Sequence, residues 1–186
     1  MSFETAFGMQ REAPAAMDLR GETAATLAMY GIQPGQTSGF GWQCLVARRL
    51  AERGVRFLEL IDVGSSGNWD AHGNMATHGP LAKNVDQAIA ALITDLKQRG
   101  LLEDTIVWFS GEFGRAPYAQ NNGTGRDHNA GGFTTWLAGN CLKSGFAYGA
   151  TDEFGHKAVE NKVHMHDLHA TLLYLLGLDH EQLTYR

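Results

Sequence analysis

Two kinds of apolar spacing alternate along the chain. From Trp42 to Arg53, Leu45, Val46 and Leu50 fall on one side of a helix, Arg48, Arg49 and Glu52 on another, and Gly54 supplies the stop. A second helical stripe, Leu81, Val85, Ala88, Leu92 and Leu96, runs from Pro80 to Arg99 and ends at Gly100. A third, from about Asp167 to Leu176, gathers Leu168, Leu172, Leu175 and Leu176 before Gly177. Between them lie short continuous apolar runs. Val55 to Asp62 (VRFLELID) and Thr105 to Ser110 (TIVWFS) read as buried strands, and Phe133 to Ala138 is a third strand candidate. Residues 1–41, with two prolines, a short helix at Gly21 to Tyr30 and a turn through Gly35, Gly39 and Gly41, read as an irregular lead-in to a domain at 42–186.

A strand, a crossover helix and a second strand predict an α/β fold, a mostly parallel sheet with helices on both faces. Ligands of such sheets bind at the carboxyl ends of the strands. The polar clusters fall after the first strand, after the second and just before the third.

Composition changes this picture little. With 186 residues, 44% hydrophobic and 19% charged, the chain is long enough for a core and is not of disordered composition. A net charge of -5 without a basic cluster argues against nucleic acid as a partner. No apolar run reaches the roughly 18 residues of a membrane span, and Met1 to Gln10 lacks the basic start and apolar stretch of a signal peptide. Cys44 and Cys141 lack the paired spacing of a zinc knuckle. Eight histidines and 23 glycines are the composition of a site built on loops.

Four clusters carry candidate chemistry. In Trp69-Asp70-Ala71-His72-Gly73-Asn74, a carboxylate and an imidazole two residues apart can converge on zinc, manganese or iron, or Asp70 can cap a turn beside a solvated His72. Glu112, directly after the second strand, needs a cation if buried there; Arg115 can neutralise it or grip an anionic substrate. Asp127 and His128 can supply one ligand each, or Asp127 can orient His128, or the stretch can be an ordinary turn. In His164-Met165-His166-Asp167-Leu168-His169, His166 and His169 are three apart and can pair on a metal, or cap and pack the start of the last helix. The chain has no G-x-S-x-G elbow, Walker loop or H-E-x-x-H helix. Ser65, Ser66 and Ser110 are hydroxyls without a signature.

The runs RRLAERGVRFLEL, NWDAHGN, LAKNVDQAIAALITDLKQRGLLEDTIVWFSGEFGRAP, GRDHNAGGFTTWLAG, YGATDEFG and VHMHDLHATLLYLLGLDHEQLTYR resemble the domain of unknown function 1501 family. The resemblance covers nearly the whole chain and implies exported, sulfatase-like proteins of the alkaline phosphatase superfamily. It carries a three-layer α/β sandwich with a two-metal centre at the strand ends and a periplasmic or exported location. Asp70, His72, Glu112 and His128 match the superfamily's metal-binding positions, whereas Phe113 stands at a second ligand position and cannot coordinate. HDLHATLLYLLGL resembles a structural helix of the superfamily. Cys44-Leu45-Val46-Ala47-Arg48 approaches the C-x-P/S-x-R pattern that sulfatases modify, but Val46 stands where Pro or Ser is needed. The chain begins with the late part of the family pattern, so it resembles a C-terminal fragment, its site completed by a missing N-terminal segment or a partner chain, or a genuinely shortened relative.

The expected function is metal-dependent hydrolysis of a small anionic ester, sulfate or phosphate. Asp70, His72, Glu112, Asp127 and His128 would hold divalent zinc, manganese, iron or calcium, with Arg115 and Arg126 steadying the anion. The alternative is a non-catalytic metal- or anion-binding domain of a larger exported protein.

Overall fold

The computed structural model describes residues 2–62 and 68–184. Ser65 and Ser66 lie outside the described residues. The chain divides into two compact units, Met1–Ala71 with Ala76–Thr105, and His72–Met75 with Ile106–Arg186.

The first unit is helical. Its elements are α1 (Ser2–Met17), α2 (Ala24–Met29), α3 (Phe40–Glu52) and α4 (His78–Gln98). The Thr23 hydroxyl caps α2 by accepting from the Thr26 amide at 3.1 Å. Gly100, at φ 72°, takes the left-handed turn after α4 that a side chain would resist. The two helices with a clear apolar stripe pack together. Cys44, Leu45, Val46 and Ala47 of α3 and Val85, Ala88, Ala91, Leu92 and Leu96 of α4 are buried. Each large aliphatic side chain among them contributes about 1.5–3 kcal/mol by leaving water.

Charge runs through this core. Arg48, placed by its spacing on the polar side of α3, is only 2% exposed, and Asp95, within the apolar stripe of α4, is 3% exposed. Arg48 lies 2.8 Å from Asp95 Oδ2, 2.8 Å from Glu22 Oε2 and 2.7 Å from Glu52 Oε2. Only its Nη1 contact, to Glu52, has hydrogen-bond alignment; Nε and Nη2 are held by charge at short distance. Arg99 bonds Asp95 and Glu52 at 2.6 Å each, and the Tyr30 hydroxyl donates to Asp95 Oδ2 at 3.0 Å. Arg49 pairs with Glu22 and donates to the Ala15 and Ala16 carbonyls at the end of α1. Three arginines and three carboxylates thus balance. Burial works against the Glu22 charge, but Arg49 and Arg48 hold its carboxyl below the usual range. Burial, with Asp95 beside it, raises the Tyr30 phenol.

The second unit is built on short ladders. It contains β1 (Val107–Phe109), β2 (Gly114–Arg115), β3 (His128–Asn129), β4 (Trp136–Ala138), β5 (Ala150–Thr151), β6 (Ala158–Glu160) and α5 (Met165–Leu175). The pairs β1–β4, β2–β3 and β5–β6 are all antiparallel, with Trp108 opposite Leu137, Arg115 opposite His128 and Ala150 opposite Glu160.

These pairs overturn the expected three-layer α/β sandwich with a mostly parallel sheet. Of the three strand candidates, VRFLELID forms no ladder, and its Phe57 is 81% exposed. TIVWFS contributes only Val107–Phe109, and that strand meets Trp136–Ala138 in the antiparallel sense. An apolar run has the composition of a buried strand whether or not a partner backbone is available to pair with it. Trp108 and Phe109 are 39% and 44% exposed, so these strands lack the two covered faces of a parallel sheet. The helices agree closely with their stripes: Phe40–Glu52, His78–Gln98 and Met165–Leu175 differ from expectation by about a turn or less at the ends.

Candidate metal centre

The β2–β3 hairpin carries the site. Its ladder continues beyond Arg115 and His128, because the Ala116 amide donates to the Asp127 carbonyl at 2.8 Å. The intervening loop folds back on itself, Gln120 N to Gly125 O at 2.8 Å, and is clamped onto residues 72–75. The Thr124 and Gly125 amides donate to the Gly73 carbonyl at 3.3 and 3.1 Å, and the Met75 amide donates to the Thr124 hydroxyl at 3.3 Å. At Gly125 the two backbones meet so closely that a Cβ would overlap the His72 carbonyl. Asn129, buried at the other end of β3, accepts from the Gly131 amide and donates to the His156 carbonyl, both at 2.9 Å.

This clamp brings together two imidazoles 56 residues apart. His72 Nε2 lies 3.2 Å from His128 Nε2, with ring centroids 4.8 Å apart. On the far side of the His72 ring, Nδ1 is 2.7 Å from Gln120 Oε1. Asp127 Oδ1 accepts from the His128 amide at 2.8 Å and lies 3.8 Å from the same His72 Nδ1. Asp127 therefore stands at the Nδ1 edge of His72 and braces His128 from its own backbone. Phe113 is stacked on His128, with centroids 4.0 Å apart and planes at 28°. The residue that cannot coordinate thus serves as the platform of one that can.

The nitrogen spacing fits a shared cation. Two nitrogens each about 2.0–2.1 Å from a tetrahedral ion are roughly 3.3 Å apart, close to the observed value. Two imidazole nitrogens with a carboxylate suit zinc, manganese or iron better than calcium, which prefers an all-oxygen shell.

Asp70, exposed in the first unit, stands two residues before His72, so their α-carbons are within about 7 Å whatever the local path. A carboxylate is the donor type that joins two imidazoles on zinc, manganese or iron, and Asp70 is the one this stretch of sequence offers. Trp69 before it takes φ 58°, a left-handed conformation that costs a bulky residue on the order of 1–3 kcal/mol. Its indole donates to Asp62 Oδ2 at 2.7 Å, and its carbonyl accepts from His78 Nε2 at 2.8 Å. These bonds hold the turn from which the Asp70 side chain departs.

Arg115 is the cross-strand partner of His128, on the same face of the ladder, and its guanidinium lies 5.7 Å from the Phe113 ring centroid. Its Nη1 donates to the Arg126 carbonyl at 3.2 Å. Arg126 thus enters the arrangement through its backbone. Glu112 is exposed between β1 and β2 and is not among the residues gathered around the imidazoles. With no burial there, the electrostatic need for a cation beside it disappears. His164 and Asp167 form a capping box at α5: the Asp167 carboxylate accepts from the His164 amide at 2.8 Å, and His164 Nδ1 accepts from the His166 amide at 3.2 Å. Gln120 is absent from the sequence-derived picture and Phe113 enters it only as a residue that cannot coordinate; no spacing marks either as the neighbour of an imidazole distant in the chain.

A histidine pair, one ring on a small antiparallel hairpin and the other on the loop its turn clamps, is the class of site this chain presents. The family model described as "Protein of unknown function (DUF1501)" matches residues 1–186, and the chain belongs to that family. No curated protein and no solved structure matches it. Among the described residues, no helix is long and apolar enough to cross a membrane.

Proposed function

We propose that this chain binds a divalent transition metal through His72 and His128, with Asp70 as the carboxylate ligand, and uses it to hydrolyse a sulfate or phosphate ester. The observation that carries the reading is the 3.2 Å approach of the two Nε2 atoms, with a hydrogen-bond partner on the other edge of His72. A cation held there supplies positive charge to an ester oxygen and lowers the pKa of a water. The protein's own part is to aim two ring nitrogens at one point and to set Arg115 on the same face, where a guanidinium can bind an anionic ester in two-pronged fashion. The resemblance of the NWDAHGN and GRDHNAGGF segments to sulfatase-like proteins favours that substrate class. The three-layer sandwich forms no part of this reading.

A second reading, metal or anion binding without turnover, is favoured by one observation. Among the described residues, the side chains found against the two rings, Gln120, Asp127 and Phe113, are an amide, a carboxylate and a phenyl ring, none of them a hydroxyl or thiol nucleophile. Metal analysis together with hydrolysis of aryl phosphate and aryl sulfate esters separates the two. Turnover that disappears in His72→Ala and His128→Ala supports the hydrolase; zinc bound with no turnover of either ester supports the binding domain. Absence of bound metal contradicts the hydrolase and the metal-binding form of the second reading.

A further inference from the structure

The His72–His128 pair needs a proton arrangement that the rings cannot set by themselves. Two ring nitrogens 3.2 Å apart cannot both point N–H groups at each other, and two bare lone pairs at that distance repel. One ring must offer a lone pair toward the other. We infer that Gln120 is the positioning residue that decides which: its side-chain carbonyl accepts from His72 Nδ1–H and so leaves His72 Nε2 as the lone pair facing His128. This rests on the metal-binding reading for its functional meaning, since that lone pair is one of the two a shared cation requires, His128 losing its Nε2 proton to solvent when the cation binds.

Three observations carry the assignment. The Oε1–Nδ1 separation is 2.7 Å, whereas the Asp127 carboxylate is 3.8 Å from the same nitrogen and accepts from the His128 amide. Gln120 is itself fixed: its amide donates to Gly125 O at 2.8 Å, and its carbonyl accepts from Gly123 N at 3.3 Å. The same loop is bonded to Gly73, the residue after His72, and packs against the His72 carbonyl at Gly125. Backbone and side chain of one loop therefore fix both the place and the tautomer of His72. In the metal-free pair His128 donates its Nε2 proton to His72, which puts the two nitrogens at the separation observed. A glutamine is suited to this because its amide oxygen accepts a hydrogen bond while the chain stays long enough to reach across the clamp.

The test uses the full chain with nitrogen-15 histidine. In the metal-free protein at alkaline pH, long-range proton–nitrogen spectra are expected to show His72 as the Nδ1–H tautomer. In Gln120→Met, of similar length without an acceptor, His72 is expected to pass to the Nε2–H tautomer, and zinc affinity to fall by about 10–100-fold. Gln120→Glu, which again offers an acceptor, is expected to restore both. A wild-type His72 protonated on Nε2, or a Met variant that keeps Nδ1–H, overturns the assignment regardless of zinc. Unchanged zinc affinity in a Met variant whose tautomer has switched overturns the positioning role. If zinc does not bind the wild-type chain while the tautomer follows Gln120 as expected, the metal reading fails and the assignment of Gln120 to the His72 tautomer stands.

Discussion

Replacing Arg48 by Met tests the buried charge cluster that ties Glu22, α3 and α4 together. Arg48 is 2% exposed and touches Glu22, Glu52 and Asp95 within 2.8 Å. With Arg49 and Arg99 the cluster has three cations against three anions; the substitution leaves it one negative charge in excess, mostly out of water. Methionine fills much of the same volume, so cavity formation is a small part of the change. Stranding a buried carboxylate costs about 3–5 kcal/mol, a large share of the roughly 5–15 kcal/mol by which folded domains exceed their unfolded chains. Urea unfolding followed by far-ultraviolet ellipticity should show the midpoint falling accordingly. Adding Glu22→Gln to the variant restores charge balance and should recover part of the loss. A loss below about 1 kcal/mol, the worth of a surface ion pair, would refute the reasoning, because it would mean that water reaches these carboxylates.

Other expectations follow from single groups. The Glu22 carboxyl is held below its ordinary range by Arg49 and Arg48 against its burial, so its folded pKa is the lower one; its stabilising effect is full above the unfolded value of about 4.3 and is lost as pH falls through the folded value. Urea midpoints measured down the acid limb should fall less steeply in Glu22→Gln than in the wild type. Burial pushes the Cys44 thiol up to about 12, while Cys141 is exposed, so a thiol reagent should label Cys141 alone in the native chain and both cysteines after denaturation. Gly125→Ala places a Cβ on the His72 carbonyl, so the clamp must open; zinc affinity by titration should fall by about tenfold or more while the helical ellipticity of the first unit is kept.

Much of the helical half of the molecule is legible in the order of its residues. The stripe of Val85, Ala88, Leu92 and Leu96 marks a helix and its buried face, because a 3.6-residue period has few other meanings. Arg48 escapes that reading. With Glu52 four residues on it resembles a surface pair, and only Glu22 and Asp95, 26 and 47 positions away, make it an interior residue. The sheet is the least legible part, since VRFLELID and TIVWFS record a liking for burial and say nothing of direction or partner. For the site, the clusters around His72 and His128 are visible as polar, glycine-rich loops. Their meeting is not, because it depends on the Gly73–Gly125 clamp, a contact between backbones that leaves only two glycines as its trace. Glu112 illustrates the converse: its place after an apolar run suggested a buried carboxylate, and the run does not bury its end.

The proposed site requires that His72 and His128 hold one metal ion between them. Elemental analysis of the purified chain after exposure to zinc, followed by removal of free metal, tests it most directly. Close to one zinc per wild-type chain is expected, and little in His72→Ala or His128→Ala chains that keep their native ellipticity. A wild-type chain that retains no zinc, or alanine variants that retain as much as the wild type, would contradict it.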